Sequence, residues 1–227
     1  MDVIAGNDSQ INRLILNDGD SDPFDSVGSG IAVGTDSNKT RFVRLADIDG
    51  DGDLDLVEGN LDQTNKLYLN DGDATPFDNA GSGSTVGGGA NTTYAIAVGD
   101  IDGDGLLDVV AANEAQTNKV YLNDGASAPF LSAGPGSAIG TDTDTTVFFA
   151  VGDVDNDGDI DVVAGNNTQL SKLYLNDGDD APFDSVGAGQ DIGTDIGNLT
   201  AIALADVNGT VSSMSSLRTS KPGINSI

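Results

Sequence analysis

Cysteine and histidine are both absent from these 227 residues. Without thiols there are neither disulfides nor thiolate metal sites, so the redox compartment leaves no mark on the chain. Without imidazole, Ser-His-Asp and Cys-His catalysis and histidine-ligated zinc are excluded. Tryptophan is missing too, and aromatics make up only 5%. Basic residues number 9 against 37 acidic ones, a formal net charge of −28. A protein that binds a phosphate backbone needs a basic face, so nucleic acid is excluded as a partner and anionic membrane surfaces are disfavoured. No run of about 18 apolar residues occurs, so membrane insertion is not expected. Asp2 already belongs to a repeat, and no leader peptide is visible ahead of it. Glutamate is nearly absent: Glu58 and Glu114 are the only two, leaving 35 aspartates. A merely salt-adapted surface would draw on both acids. The bias to the short side chain points to turns and ligand loops.

What is present is enough for a core. Hydrophobic residues are 37%, and the 31 glycines bring the apolar share near half, which is ordinary for a globular protein. The length suits one large β domain or two small ones. The dominant feature is a period. Asp47, Asp100, Asp153 and Asp206 stand 53 residues apart, as do Asp2, Asp55, Asp108 and Asp161, and Asn17, Asn70, Asn123 and Asn176. A fixed period near 50 marks a modular array such as a propeller or solenoid.

Each repeat reads as four short strands. The first is placed at 41–46, 94–99, 147–152 and 200–205, the second at 54–58, 107–111, 160–164 and 1–5, and the third at 66–69, 119–122, 172–175 and 13–16. In the first strand, pairs such as Val43/Leu45 and Ile96/Val98 flank Arg44, Ala97, Ala150 or Ala203. The small residues predict a crowded inner strand, and Arg44 a wetter position. In the third strand Leu67 and Leu69 share one face and Tyr68 takes the other. Tyr68, Tyr121 and Tyr174 (Ile15 in the first copy) are assigned to packing between repeats rather than to a ligand platform. Asn70-Asp71-Gly72 and its copies read as hairpin turns. The fourth strand is placed around Pro23-Phe24, Pro76-Phe77, Pro129-Phe130 and Pro182-Phe183, because proline suits an outer edge. Gly/Ser-rich stretches such as Gly28-Ser29-Gly30 then lead to the next repeat. Four antiparallel strands per repeat, stacked side by side, predict an all-β fold: a β-propeller of about four blade equivalents.

The repeats span residues 1–209. In the last copy Thr210 stands where Asp51, Asp104 and Asp157 stand, and residues 210–227 contain no acid. They are expected to be an atypical, disordered tail. Either 200–205 pairs with the strands of residues 1–24 and closes a four-blade ring, or the chain is part of a larger propeller. The break within the fourth acidic loop favours the second.

The chemistry lies in a nine-residue loop between the first two strands. It reads Asp47, Asp49, Asp51, Asp53 and Asp55 in one copy, Asp100, Asp102, Asp104, Leu106 and Asp108 in the next, and Asp153, Asp155, Asp157, Asp159 and Asp161 in the third, at odd positions throughout. Carboxylates this close repel one another unless a cation compensates. A hard divalent ion does so, and Ca2+ takes six to eight oxygens from carboxylates, carbonyls and water. Glycine at position six (Gly52, Gly105, Gly158) permits the tight turn. Position seven is assigned its carbonyl, since Leu106 has no side-chain oxygen. Three Ca2+ sites are expected. They would leave a net charge of about −22. An EF-hand would need a twelfth-position acid, which only Glu58 supplies, and flanking helices where these flanks read as strands. A calcium-binding β-helix would repeat every nine residues.

The sequence D-x-D-x-D-G-x-x-D after an apolar strand, followed by L-D-L-V-x-G-N, N-K-L-Y-L-N-D-G and P-F, resembles the FG-GAP/VCBS repeat family, also seen in integrin-type propellers. The resemblance covers residues 1 to about 209. It implies a secreted or cell-surface β-propeller, commonly seven-bladed, with Ca2+ in the hairpin between the first two strands of a blade. The family's ligand positions fall on Asp47, Asp49, Asp51, Asp53 (carbonyl) and Asp55, and on the equivalents from Asp100 and Asp153. The chain departs from the family in blade number and at Asp206 and Asn208, which lack a fifth-position partner.

Function is expected to follow from the scaffold. The calcium is structural, and the module binds an extracellular protein or glycan, as in adhesion. A spacer in a larger surface protein and a polysaccharide-acting propeller enzyme are the alternatives. No acid stands apart from the repeat pattern, so an enzyme is not expected.

Overall fold

The computed structural model describes residues 1–25, 28–194 and 196–208. The tail expected to be disordered, 210–227, lies outside them. Among the described residues all regular structure is β, in four antiparallel sheets that follow one another along the chain. The first contains β1 (Val3–Ala5), β2 (Arg13–Ile15) and β3 (Ile31–Ala32). The second contains β4 (Thr40–Ala46), β5 (Asp55–Asn60), β6 (Lys66–Tyr68) and β7 (Ser84–Thr85). The third contains β8 (Thr93–Gly99), β9 (Asp108–Asn113), β10 (Lys119–Tyr121) and β11 (Ser137–Ala138). The fourth contains β12 (Thr146–Gly152), β13 (Asp161–Asn166), β14 (Ser171–Tyr174) and β15 (Gln190–Ile192).

Every residue of β5, β9 and β13 is buried, including the polar residues at their ends. A strand covered on both faces shows no polar alternation. The sheets stack face to face. Leu14 and Val33 of the first pack on Leu56, Tyr68 and Phe77 of the second. Val57 and Leu67 of the second pack on Val109, Tyr121 and Phe130 of the third. Val110 and Val120 of the third pack on Val162, Tyr174 and Phe183 of the fourth. The three tyrosines are thus packing residues between repeats, with relative exposures of 2% or less. Arg44 is exposed and Ala97 is buried, as their places in the first strand predict, whereas Ala150 is half-buried and Ala203 is exposed.

Buried polar relays lock neighbouring sheets together. Asn65 Nδ2 donates to Thr93 Oγ1 at 3.1 Å, and Thr93 Oγ1 donates to Asn113 Oδ1 at 3.1 Å. Asn118, Thr146 and Asn166 repeat the pattern at 2.9 and 2.8 Å. The first junction departs from it. Thr40 Oγ1 donates instead to Glu58 Oε1 at 2.5 Å, and Asn60 Oδ1 and Glu58 Oε2 are left buried without a partner. Glu58 is therefore an inter-sheet residue on a strand, not the closing ligand of an EF-hand.

Two strand expectations are corrected. The fourth strand does not run through the Pro-Phe pairs. Those residues turn within a long loop, where Asp18, Asp124 and Asp177 N–H groups donate to the Pro23, Pro129 and Pro182 carbonyls. Phe77, Phe130 and Phe183 drop into the core from it. The outer strand lies instead at the end of the Gly/Ser stretch, where Ser84, Ser137 and Gln190 pair with the third strand. Glycine is needed there because the chain crosses a tyrosine ring. Gly136 has φ 71°, and a Cβ on it would stand 2.6 Å from Tyr121 Cε1. Asn-Asp-Gly therefore opens a long loop rather than closing a two-residue hairpin. The second correction concerns 200–205, which form no strand. A strand needs a hydrogen-bonded neighbour, and no L-D-L-V run follows these residues to supply one.

Candidate metal centre

Each acidic loop joins the first two strands of a sheet: β4 to β5, β8 to β9, and β12 to β13. Positive φ winds it at two places. Gly52, Gly105 and Gly158 at position six have φ of 99°, 93° and 105°. Gly50, Gly103 and Asn156 at position four have φ of 77°, 75° and 63°, a second turn that position six alone did not reveal. Asparagine tolerates this left-handed region better than other side chains.

The winding brings three carboxylates together in each loop: Asp47, Asp49 and Asp55; Asp100, Asp102 and Asp108; Asp153, Asp155 and Asp161. In each triad one oxygen per residue lies within 4.8 Å of the other two. Position five stands outside these triads. Asp51, Asp104 and Asp157 cap the N–H of position seven at 2.9, 2.8 and 3.0 Å. Position-seven side chains lean the other way, against the Asn-Asp-Gly turn. Asp53 and Asp159 carboxylates sit where a Cβ would stand on Gly72 and Gly178, and Leu106 takes the same place beside Gly125.

Position nine has a second task. Asp55 Oδ2 accepts from Ile48 N at 2.8 Å and its Oδ1 from Asn70 N at 2.9 Å. Asp108 does the same for Ile101 and Asn123 at 2.7 and 2.8 Å, and Asp161 for Val154 and Asn176 at 2.7 and 2.9 Å. All three are fully buried. Burial pushes Asp55 and Asp108 up to about 6, although the backbone N–H groups oppose it; Asp49 and Asp102 add smaller upward pushes. Asp49, Asp102 and Asp155 are also raised, by desolvation first and by neighbouring carboxylates. The loops thus concentrate negative charge that the protein itself does not neutralise.

The second loop supplies a direct test of whether a cation fits. Asp100 Oδ1 is buried and has no hydrogen-bond partner. An unpaired buried carboxylate oxygen is costly, and a metal ion held by this triad would provide the missing interaction. The donor set is all oxygen, which suits a hard cation such as Ca2+ and not zinc or copper.

Further acidic groups occur in the loop after the third strand, including Asp18, Asp20 and Asp25, and Asp71, Asp73 and Asp78. The N-D-G-D spacing was their signal in the sequence, where it reads as a turn. All are exposed, and several are engaged as turn caps, such as Asp73 Oδ1 with Thr75 N at 2.6 Å. No metal is assigned to them.

The model of the FG-GAP-like repeat matches residues 47–111 and 100–164, two overlapping copies that together cover more than half of the chain. This chain belongs to the FG-GAP-like repeat family. Each match begins on the first aspartate of an acidic loop and ends inside the second strand of the following sheet. Each matched stretch therefore holds two acidic loops, the last three strands of one sheet, and the first strand and part of the second strand of the next. No curated protein matches the chain.

Proposed function

We propose that this FG-GAP chain is a calcium-stabilised β-propeller module that works outside the cell as a non-catalytic binding or adhesion scaffold for a protein or glycan. The observation that carries the calcium reading is the repeated triad, together with the buried, unpartnered Asp100 Oδ1 in one of its copies. Asp47, Asp49 and Asp55 and their two sets of equivalents would hold the ions, with the position-five carboxylates and position-seven carbonyls completing the loops. A bound cation would neutralise the cluster and let the ninth aspartate stay ionised while it holds two backbone N–H groups. The metal would then fix where β5, β9 and β13 begin. Stacked four-stranded antiparallel sheets with one loop at the same end of each support the propeller reading.

Three equivalent sites fit a structural ion, since a catalytic centre is normally a single place that breaks the repeat. Sites of this kind in extracellular modules bind at about 0.1–1 mM, matched to a calcium-rich exterior. At a hundredfold excess over the dissociation constant, each would add roughly 2.7 kcal/mol. Equilibrium dialysis at millimolar calcium should find three ions per chain, and excess chelator should lower the melting temperature. No bound calcium, or an unchanged melting temperature, refutes the proposal. A protein and glycan array probed with and without calcium tests the binding role. Absence of any calcium-dependent ligand would leave a spacer as the better description.

A further inference from the structure

Ile48 and Ile101, the second residues of their acidic loops, have no side-chain oxygen to offer a metal, yet both are held at each end. Each is buried. The Ile48 N–H donates to Asp55 Oδ2, on the ninth residue of the same loop, at 2.8 Å. Its carbonyl accepts from Asn123 Nδ2 at 2.9 Å, 75 residues further along the chain. Its side chain clusters with Val109, Tyr121 and Phe130 of the third sheet. Ile101 repeats the arrangement. Its N–H donates to Asp108 Oδ2 at 2.7 Å, its carbonyl accepts from Asn176 Nδ2 at 2.7 Å, and its side chain clusters with Val162, Tyr174 and Phe183 of the fourth sheet.

Asn123 and Asn176 each face two loops at once. The Asn123 backbone N–H donates to Asp108 Oδ1 at 2.8 Å, and that of Asn176 to Asp161 Oδ1 at 2.9 Å. Their side-chain amides also donate to the carbonyls of Leu107 and Ile160, position eight of those same loops, at 3.2 and 3.1 Å. Both N–H bonds of each amide are thus directed at carbonyls of two different loops, and both asparagines are 3% exposed. Laid end to end, these bonds form one buried relay from Asp55 through Asp108 to Asp161, with no link longer than 2.9 Å. It passes through the ninth residue of all three acidic loops.

Building on the calcium reading proposed above, we infer that Asn123 and Asn176 are positioning residues for the metal loop one sheet back, and that through them calcium fills the three loops cooperatively. The two-state element is the acidic loop. Without an ion its own carboxylates push it apart. With one it is ordered, and its ninth aspartate holds the asparagine N–H fast. The asparagine then presents its amide to the carbonyl of the preceding loop. The first ion therefore orders part of a neighbouring loop as well as its own, and the next ion has less ordering left to do. By linkage the effect runs equally in both directions along the relay. Charge works against it: each divalent ion makes a strongly acidic chain less negative and weakens its attraction for the next. Positive cooperativity thus reports the relay and not the field.

Equilibrium dialysis of the full chain from micromolar to millimolar calcium, at about 0.15 M salt where the screening length is about 8 Å, should give a Hill slope above one. The last ion should bind about fivefold or more tighter than the first. Asn123→Ala/Asn176→Ala removes both amides but no metal ligand. It should keep all three ions and a folded circular dichroism spectrum while the slope falls to one. A merely structural loss would weaken the three sites without changing the slope. Asp102→Asn leaves every residue of the relay in place and strikes the middle ion. It should bind two ions with a slope of one, because neither has a filled neighbour, and it decides the question if the double variant does not fold. Three ions bound with a slope of one or less, an unchanged slope in the folded double variant, or a slope above one that survives Asp102→Asn would each overturn the inference and leave the calcium sites standing. Absence of bound calcium would overturn both.

Discussion

Removing calcium should reverse the direction in which acid acts on this protein. Asp55 and Asp108 titrate near 6 in the folded, metal-free chain, against an ordinary value of 3.8. The folded state therefore binds protons more readily than the unfolded one between those values. Stability then falls as pH rises through that window, and the full penalty is present above 6. Between pH 7 and pH 5 each site regains about 1.3 kcal/mol, because one pKa unit is worth about 1.36 kcal/mol. Two sites give roughly 2.6 kcal/mol, or about 5–10 °C in the melting temperature of a chain this size. The metal-free protein should thus melt higher at pH 5 than at pH 7. With saturating calcium the sign should flip, since protons compete with the ion for the same oxygens. Differential scanning calorimetry at constant ionic strength, with chelator in one series and calcium in the other, reads both slopes. A metal-free melting temperature that stays level or drops on acidification would refute the reasoning that burial of the ninth aspartate is what the cation offsets.

Three substitutions probe the rest. Asp108→Asn keeps the shape but presents an NH2 group to one of two buried N–H donors; it should remove one calcium in dialysis and cost roughly 2–3 kcal/mol in denaturant unfolding. Thr93→Val should cost about 2–4 kcal/mol, because the amides of Asn65 and Asn113 both lose their buried partner. Gly136→Ala should cost roughly 2–4 kcal/mol, from a left-handed backbone and a methyl driven into the Tyr121 ring; a change within experimental error would mean that the loop, not the ring, gives way.

The parts of the fold that were legible in the sequence are those that repeat or alternate. The period, the acidic loop, the second and third strands and the inter-sheet tyrosines all follow from residue spacing, because local backbone geometry fixes which side chains share a face. The fourth strand was not legible. Ser84–Thr85 carry no apolar pattern, and their strand character comes wholly from pairing with Lys66 and Leu67. The more conspicuous Pro-Phe pair drew the assignment to a loop whose phenylalanine reaches the core from a turn.

At the candidate site, spacing predicts that carboxylates at positions one, three, five and nine converge, since alternating residues in a tight loop point to one centre; the structure groups one, three and nine and leaves five as a turn cap. Only the tertiary structure decided that the ninth must also hold two backbone N–H groups, one of them just past the third strand, 15 residues further along the chain. It likewise decided that Ile48 and Ile101, the second residues of two loops, enter the core of the following sheet. Those outcomes depend on which groups meet across sheets and on which of them water no longer reaches, and a linear order of residues encodes neither directly.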